Sequence, residues 1–433
     1  MVSLVQRYKK LKESVLLRNT IWMFMGQGMR QLLRAVYFLI IPRALGVDQY
    51  GLFVGVTALA AILAPFATLG IGNLLIKNVS RDKKVFGEYW GNSLFLTAVS
   101  GAALIALMMV IAKIILPGKF PWLLVFVVAI SDLLFAKVLD VASQAFQAFD
   151  LMSKTAQLNV YASLSRVIGA IALVAVYHRA DAMMWSWIYL GASVLTTIIA
   201  MHWVNRQLDH PVLALWRIKP ELLEGCYFSV SMSSQSIYND IDKTMLVQLS
   251  TLDGAGIYAA AYRLIDVAFM PVRSLLWAMY PSFFRHGQAG IGASTKYARR
   301  LLPRALAYSL LACITLFVAA PIVPHLLGAE YARTTIALRW LSPLPLLKTL
   351  HYFVADSLTG AGRQGLRTAV QVGVAVFNVL LNLWLIPAYS WRGAAWSSIA
   401  SDGMLAVCLW IAVFWLGRQQ PVPTELAASE VSA

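Results

Sequence analysis

Apolar residues along the chain fall into long blocks of about 20–25 residues, separated by short polar connections. An α-helix needs about 20 apolar residues to cross roughly 30 Å of hydrocarbon, so each block has the length of a membrane-spanning helix. We find no ten-residue segments of alternating apolar and polar residues, which are typical of membrane β-barrels. The pattern therefore predicts an all-α, polytopic membrane protein with about 12 transmembrane helices.

The basic residues are distributed unevenly between the two sides of the membrane. The predicted spans are 19–41, 50–76, 91–116, 122–148, 158–177, 183–204, 222–249, 256–284, 305–324, 336–360, 369–387 and 394–416. With the N-terminus in the cytoplasm, the inner connections hold 21 of the 36 Lys and Arg residues and the outer ones hold five. The positive-inside rule then predicts that both termini are cytoplasmic. The net charge of +16 follows from this topology and from attraction to anionic lipid, and nucleic acid is not an expected partner.

The polar connections are too short to contain a catalytic or nucleotide-binding domain. None exceeds about 20 residues, whereas a compact domain needs about 50 or more. No phosphate-binding loop motif is present, and Cys226, Cys313 and Cys408 all lie in apolar spans without metal-ligand spacing. We therefore expect no cofactor and no metal, and an ion or substrate gradient as the energy source.

A short internal repeat relates the two halves of the chain. Asp48–Phe53 joins spans 1 and 2, and the similar segment Asp253–Tyr258 joins spans 7 and 8, at an offset of 205 residues. Both segments lie at outer ends, which predicts a parallel repeat of two six-helix lobes around a central cavity. The predicted division is an N-terminal lobe at 1–204, a cytoplasmic linker at 205–221, a C-terminal lobe at 222–416 and a cytoplasmic tail at 417–433.

Ionisable side chains form stripes inside the spans. Each costs about 2.5–3.5 kcal/mol to insert, so it faces either a wet cavity or a partner. The candidate substrate-binding residues are Arg30, Arg34, Lys137, Asp140, Arg166, Asn239, Asp242, Lys243, Arg263, Arg273 and Lys348. Arg30 and Arg34 share one helical face and have no acid within four residues. Pairing within one helix explains Lys137 with Asp140 and Arg263 with Asp266 equally well.

The charge of the first lobe favours an anionic ligand. Its cations outnumber its acids Asp132 and Asp140 by two, and we interpret Asp132 itself as structural. Guanidinium groups bind phosphate, pyrophosphate and acidic sugars bidentately. Asp240, Asp266 and Asp356 are candidates either for ion coupling or for counter-ions, and the sequence leaves both roles open.

Several motifs resemble the polysaccharide-exporter branch of the multidrug/oligosaccharidyl-lipid/polysaccharide (MOP) superfamily. They are Gly26–Arg30, Pro42–Phe53, Phe66–Gly70, Asn239–Lys243, Gly254–Tyr258, Ala261–Arg263 and Tyr280–Pro281. The resemblance implies a V-shaped, alternating-access transporter of the bacterial inner membrane, like the Wzx-type flippases. It also implies that an undecaprenyl-pyrophosphate-linked oligosaccharide is flipped to the periplasmic leaflet, with a polysaccharide polymerase and glycosyltransferases as partners. By the same resemblance, Arg30, Arg34, Asp242, Lys243 and Arg263 contact the head group.

Three alternatives remain open at this stage. A drug or cation antiporter of the same superfamily requires a cavity dominated by acids. An integral-membrane enzyme of polysaccharide assembly usually needs a sizeable outer loop, and the longest outer connection here has about a dozen residues. The third alternative is a structural partner of a polysaccharide assembly complex.

Overall fold

The computed structural model of the chain describes residues 2–115, 121–177, 180–217 and 222–419. Within these residues the chain forms α-helices, short 3-10 turns and one π-helical segment, and contains no strand. The predicted all-α fold is thereby confirmed. Residues 218–221 of the predicted linker, residues 420–433 of the predicted tail and the side chain of Cys226 lie outside what is described, whereas Cys313 and Cys408 are free cysteines.

The described residues form fifteen α-helices. They are α1 Val2–Leu63, α2 Ile71–Val79, α3 Phe86–Ile115, α4 Trp122–Ala129, α5 Ala136–Ala148, α6 Met152–Val176, α7 Ala182–Gln207, α8 Leu222–Leu249, α9 Leu252–Gly287, α10 Ile291–Ala319, α11 Val323–Leu327, α12 Thr334–Leu341, α13 Leu344–Gly360, α14 Gln364–Tyr389 and α15 Trp391–Gln419.

Each predicted span overlaps one or more of these helices. Nine segments of the described chain are long and apolar enough to cross a membrane, and one of them, Gly28–Ala67, contains parts of the first two predicted spans. Helices α8 and α13 are not among the nine. Helix α8 carries a stripe of ionisable residues, which lowers its apolar character, and α13 has only 17 residues.

Contacts divide the chain into two compact units. The first unit comprises Met1–Ala259 with Pro324–Tyr331, and the second comprises Ala260–Val323 with Ala332–Ala433. Helix α8 and the start of α9 therefore pack with the first six spans. Ser233 in α8 donates to the carbonyl of Ile62 at 2.7 Å, and Thr244 donates to that of Gly55 at 3.1 Å. The predicted lobe boundary at 205–221 stays a prediction.

The first part of the predicted linker packs on the first unit. The Val212 N–H donates to the carbonyl of Gly87 at 2.8 Å. The Asn92 side chain bonds both the N–H and the carbonyl of Ala214, each at 2.8 Å. These bonds fix residues 212–214 against the start of α3.

The two copies of the repeat contact each other within the first unit. A Cβ atom built on Gly51 would collide with the carbonyl oxygen of Leu252 and would lie 2.7 Å from the backbone nitrogen of Gly256. A Cβ atom on Gly256 would collide in turn with the carbonyl oxygen of Val47. Small residues let membrane helices approach at backbone distance. The glycine in each copy of the repeat thus permits the crossing of α1 with the first turns of α9.

Helix α1 is broken at Gly46, where φ is 73° and ψ is 171°. This conformation favours glycine, and the break takes from the Val47 N–H its acceptor in the preceding turn. Glu330 supplies a carboxylate oxygen to that N–H at 3.3 Å, and the Tyr331 hydroxyl donates to the carbonyl of Pro42 at 3.0 Å. Burial raises the pKa of Tyr331, which keeps its hydroxyl protonated as a donor. A segment between α11 and α12 therefore completes the hydrogen bonding at the break.

We expect Gly51→Ala and Gly256→Ala to destabilise the protein by about 1–3 kcal/mol each, because a methyl group has no space at the crossing. Thermal unfolding of the purified protein measures the effect. Gly373→Ala is the matched control, because no atom lies within 4 Å of a Cβ built there in α14. Equal unfolding temperatures for the crossing variants and the control would contradict the close approach.

Tyr331→Phe should lower the free energy of unfolding by about 1 kcal/mol, through loss of one buried hydrogen bond. Tyr308→Phe is the control, because Tyr308 makes a similar bond to the carbonyl of Ala268 at 3.0 Å but is 37% exposed. A loss at Tyr331 no larger than the loss at Tyr308 would contradict the prediction, because the buried bond to Pro42 would then contribute no more than an exposed one.

Candidate functional site

The predicted site residues divide between the two units. In the first unit, Arg30 and Arg34 lie on α1, Lys137 and Asp140 on α5 and Arg166 on α6, and the predicted residues between 239 and 243 lie on α8. In the second unit, Arg263, Asp266 and Arg273 lie on α9, and Lys348 and Asp356 lie on α13.

Five charged residues of the first unit come together, and we name them the charge cluster: Arg30, Asp132, Lys137, Asp140 and Arg166. Lys137 binds Asp140 at 2.8 Å within one turn of α5. Arg30 lies close enough to interact electrostatically with both Asp140 and Arg166. Four of these residues are predicted site residues, and Asp132 is the one that we had interpreted as structural.

The two arginines of the charge cluster keep their donors unused. Within the described chain, neither Arg30 nor Arg166 makes a hydrogen bond or an ion pair. The Arg166 guanidinium instead lies 4.4 Å from the centre of the Tyr189 ring. Half-buried guanidinium groups with free donors attract an anion, and a planar guanidinium binds phosphate through two parallel hydrogen bonds.

Asp132 enters the charge cluster because the chain is π-helical from Ile130 to Phe135, between α4 and α5. The Tyr189 hydroxyl donates to Asp132 at 2.6 Å. Sequence alone does not reveal this pair, because its two residues lie on separate helices and 57 positions apart. The available signal is that Asp132 is an acid inside an apolar block, and such residues usually have a partner.

Helix α7 holds the π-helical segment through residues spaced four apart. Besides the bond from Tyr189, the hydroxyls of Ser131 and Ser193 bond at 2.8 Å, and Thr197 donates to the carbonyl of Phe135 at 2.8 Å. Residues four apart share one face of a helix, so this face of α7 provides partners along the whole segment. π-helical turns occur frequently at functional sites.

An aromatic group surrounds Tyr189. Its ring centre lies 5.5 Å from Phe53 and 6.1 Å from Trp185, and Trp185 lies 5.6 Å from Tyr37. Trp185 is fully buried, and its indole N–H has no hydrogen-bond partner within the described chain. These contacts restrict the Tyr189 ring, against which the Arg166 guanidinium packs.

The predicted residues on α8 bond mainly to near neighbours. Lys243 binds Asp240 at 2.5 Å and donates to the carbonyl of Asn239 at 2.9 Å. Tyr258 donates to Asp242 through a short hydrogen bond. Lys243 and Asp242 are almost fully buried, so their predicted contact with substrate stays a prediction.

In the described chain, Lys348 and Asp356 of the second unit have charged partners, unlike the two arginines of the charge cluster. Lys348, which is 1% exposed, donates to the Tyr262 hydroxyl at 2.8 Å and lies 3.9 Å from Asp266. Asp356 binds Arg367 at 3.2 Å. Arg273 lies 5.6 Å from the ring centre of Phe269, and no hydrogen bond or ion pair of Arg263 occurs within the described part of this unit.

Sequence reasoning missed one buried pair in the second unit. The imidazole of His351 on α13 lies 3.2 Å from a carboxylate oxygen of Asp402 on α15, and both side chains are almost fully buried. The available signal was Asp402, an acid inside an apolar span, together with His351 beside the ionisable stripe of α13. No group of three or more His, Cys, Asp or Glu side chains in the described ranges is placed to hold a metal ion.

Comparison with known proteins places the chain in a family. Residues 16–286, which are more than half of the chain, match the model of the polysaccharide biosynthesis protein family. The chain is 22% identical over 392 residues to the probable low-salt glycan biosynthesis flippase Agl15 of Haloferax volcanii, and the match covers 88% of this chain and 79% of the relative.

Solved transporters share the fold. An inward-facing conformation of a multidrug resistance MATE family transporter of the MOP superfamily matches with a TM-score of 0.76 and 16% identity, over 94% of this chain and 100% of that one. A MOP superfamily transporter from Pyrococcus furiosus matches with a TM-score of 0.62 and 14% identity, over 93% and 96% of the two chains. The chain belongs to the polysaccharide biosynthesis protein family, has the fold of the solved MOP superfamily transporters, and is a multi-pass membrane protein.

Proposed function

We propose that this transporter flips an undecaprenyl-pyrophosphate-linked oligosaccharide from the cytoplasmic to the periplasmic leaflet of a bacterial inner membrane by alternating access. The observation that carries the proposal is the charge cluster, where Arg30 and Arg166 lie close together with unused donors. Two neighbouring positive charges repel each other, so an anion bound between Arg30 and Arg166 relieves the repulsion and pairs both groups. A diphosphate has the charge and the oxygen atoms to do so.

The described roles of the relatives support the same class of substrate. The relative from Haloferax volcanii is a probable flippase of glycan biosynthesis, and the matched family is one of polysaccharide biosynthesis. We therefore assign head-group contact to Arg30, Arg34 and Arg166. The other predicted cavity residues remain candidates for the same cavity: Lys137, Asp140, Asn239, Asp242, Lys243, Arg263, Arg273 and Lys348.

The remaining parts of the proposal follow from charge distribution and family. Both termini are cytoplasmic, two six-helix lobes alternate in access, and a polysaccharide polymerase and glycosyltransferases act on either side of the transport step. Asp240, Asp266 and Asp356 each lie within 4 Å of a cation, at 2.5, 3.9 and 3.2 Å. They act as counter-ions, or they couple transport to an ion gradient.

A drug or cation antiporter is the second candidate, because one structural neighbour is a multidrug resistance transporter. Such a transporter needs acids to dominate the binding region, whereas the charge cluster has three cations and two acids. The neighbour from Pyrococcus furiosus is described as having a reverse polarity of its binding pocket that suggests a different function. Within this superfamily fold, polarity therefore differs between members, and the cationic polarity here favours an anionic substrate.

Arg30→Ala and Arg166→Ala should each lower periplasmic delivery of lipid-linked glycan at least about 10-fold, because a hydrogen bond to a charged group contributes about 1.5–3 kcal/mol. Delivery is measured in a strain in which the chromosomal gene for this protein is deleted. Each variant is expressed in that strain at an equal level in the membrane.

Arg43→Ala is the matched control, because Arg43 also lies on α1 but is exposed and outside the charge cluster. It should deliver glycan at the wild-type rate. Normal delivery by an Arg30→Ala, Arg166→Ala double variant would overturn the proposed role of the cluster.

A further inference from the structure

Two consecutive contacts connect Arg166 to Asp132 through Tyr189. The Arg166 guanidinium lies 4.4 Å from the ring centre of Tyr189, and the Tyr189 hydroxyl donates to Asp132 at 2.6 Å. A cation over an aromatic face is attracted by the ring electrons, and this contact leaves the donors at the guanidinium edge free. Tyr189 is 7% exposed, so the ring has little freedom to turn.

Asp132 is an unfavourable neighbour for an anion-binding site if only its charge is considered. A carboxylate near Arg166 weakens the attraction of the cluster for a negatively charged head group. The hydrogen bond from Tyr189 gives the carboxylate a different role, because it fixes the ring that supports Arg166. The π-helical segment, held by Ser193 and Thr197 of α7, places the carboxylate for this bond.

We infer that Asp132 and Tyr189 are positioning residues that hold the Arg166 guanidinium with its edge free to bind a diphosphate bidentately. This inference rests on the proposed function, since it assigns a specificity device to the same anion site. Neither residue touches the substrate, and both act through Arg166. One guanidinium binds either a monophosphate or one end of a diphosphate bidentately, so the preference for the diphosphate comes from its second phosphate group, which Arg30 binds while Arg166 binds the first.

The test measures binding of farnesyl diphosphate and farnesyl monophosphate to the purified full-length protein in nanodiscs. Asp132→Asn and Asp132→Ala remove the same charge, but only asparagine keeps an oxygen acceptor for Tyr189. We expect Asp132→Asn to bind farnesyl diphosphate at least as tightly as the wild type, and Asp132→Ala to bind it about 10-fold more weakly than Asp132→Asn. If Asp132→Ala binds farnesyl diphosphate as tightly as Asp132→Asn or more tightly, the inference is overturned, because the loss of the negative charge alone then explains the effect of Asp132.

A double-mutant cycle shows whether Tyr189 acts through Arg166. Tyr189→Leu should weaken binding of farnesyl diphosphate about 10-fold and reduce the preference over the monophosphate, but it should change binding less than about 2-fold when Arg166 is already alanine. Tyr161→Leu is the control on α6, where Tyr161 packs 5.6 Å from Trp203 and outside the cluster, and it should leave binding unchanged.

The outcomes separate the two proposals. If the wild type binds farnesyl diphosphate and Tyr189→Leu causes the same loss with and without Arg166, the positioning role is wrong and the anion site stands. If the wild type does not bind farnesyl diphosphate, the proposed anion site fails, and the positioning role fails with it. Thermal unfolding of each variant identifies losses of binding that arise from loss of folding.

Discussion

The hydrocarbon core of a membrane contains no water, so every polar backbone group and every charge there needs a partner within the protein. The π-helical segment follows this constraint, since Tyr189, Ser193 and Thr197 provide partners at regular spacing on α7. The break in α1 at Gly46, at the predicted outer end of the first span, is also completed by a side chain, because Glu330 accepts a hydrogen bond from the N–H of Val47. Irregular backbone persists in this protein where neighbouring side chains complete its hydrogen bonds.

Departures from this constraint mark the region that we propose as the substrate site. Lys243, Lys348 and Asp356 each have an oppositely charged partner within 4 Å in the structure. Arg30 lies close enough to Arg166 to interact with it electrostatically, and within the described chain the donors of these two arginines bind no side chain or carbonyl. Leaving two guanidinium groups in this state costs stability, and under the proposed function an anionic head group bound during transport offsets that cost. The proposal thus gives the two arginines a role in transport that folding alone does not require.

Local patterns in the sequence were sufficient to predict the helices and part of the site. Span length follows from apolar blocks, and the repeat around Gly51 and Gly256 predicted two related segments, which the structure brings into contact. Arg30 was predicted because no acid lies near it in the sequence. Asp132 with Tyr189, and His351 with Asp402, escaped prediction because each pair joins two different helices. Helical spacing reveals neighbours within one helix, whereas pairing between helices depends on rotation and on local irregularities such as the π-helical segment.

Transport by the purified protein in proteoliposomes tests whether this protein flips lipids that carry a diphosphate. Two fluorescent lipids with the same sugar are compared, one with a diphosphate link and one with an uncharged link, and a membrane-impermeant quencher reports which leaflet each occupies. The account predicts that the wild type flips the diphosphate-linked lipid, does not flip the uncharged one, and loses this activity when Arg30 and Arg166 are both changed to Glu. Equal flipping of the two lipids, or full activity in the Glu variant, would contradict it.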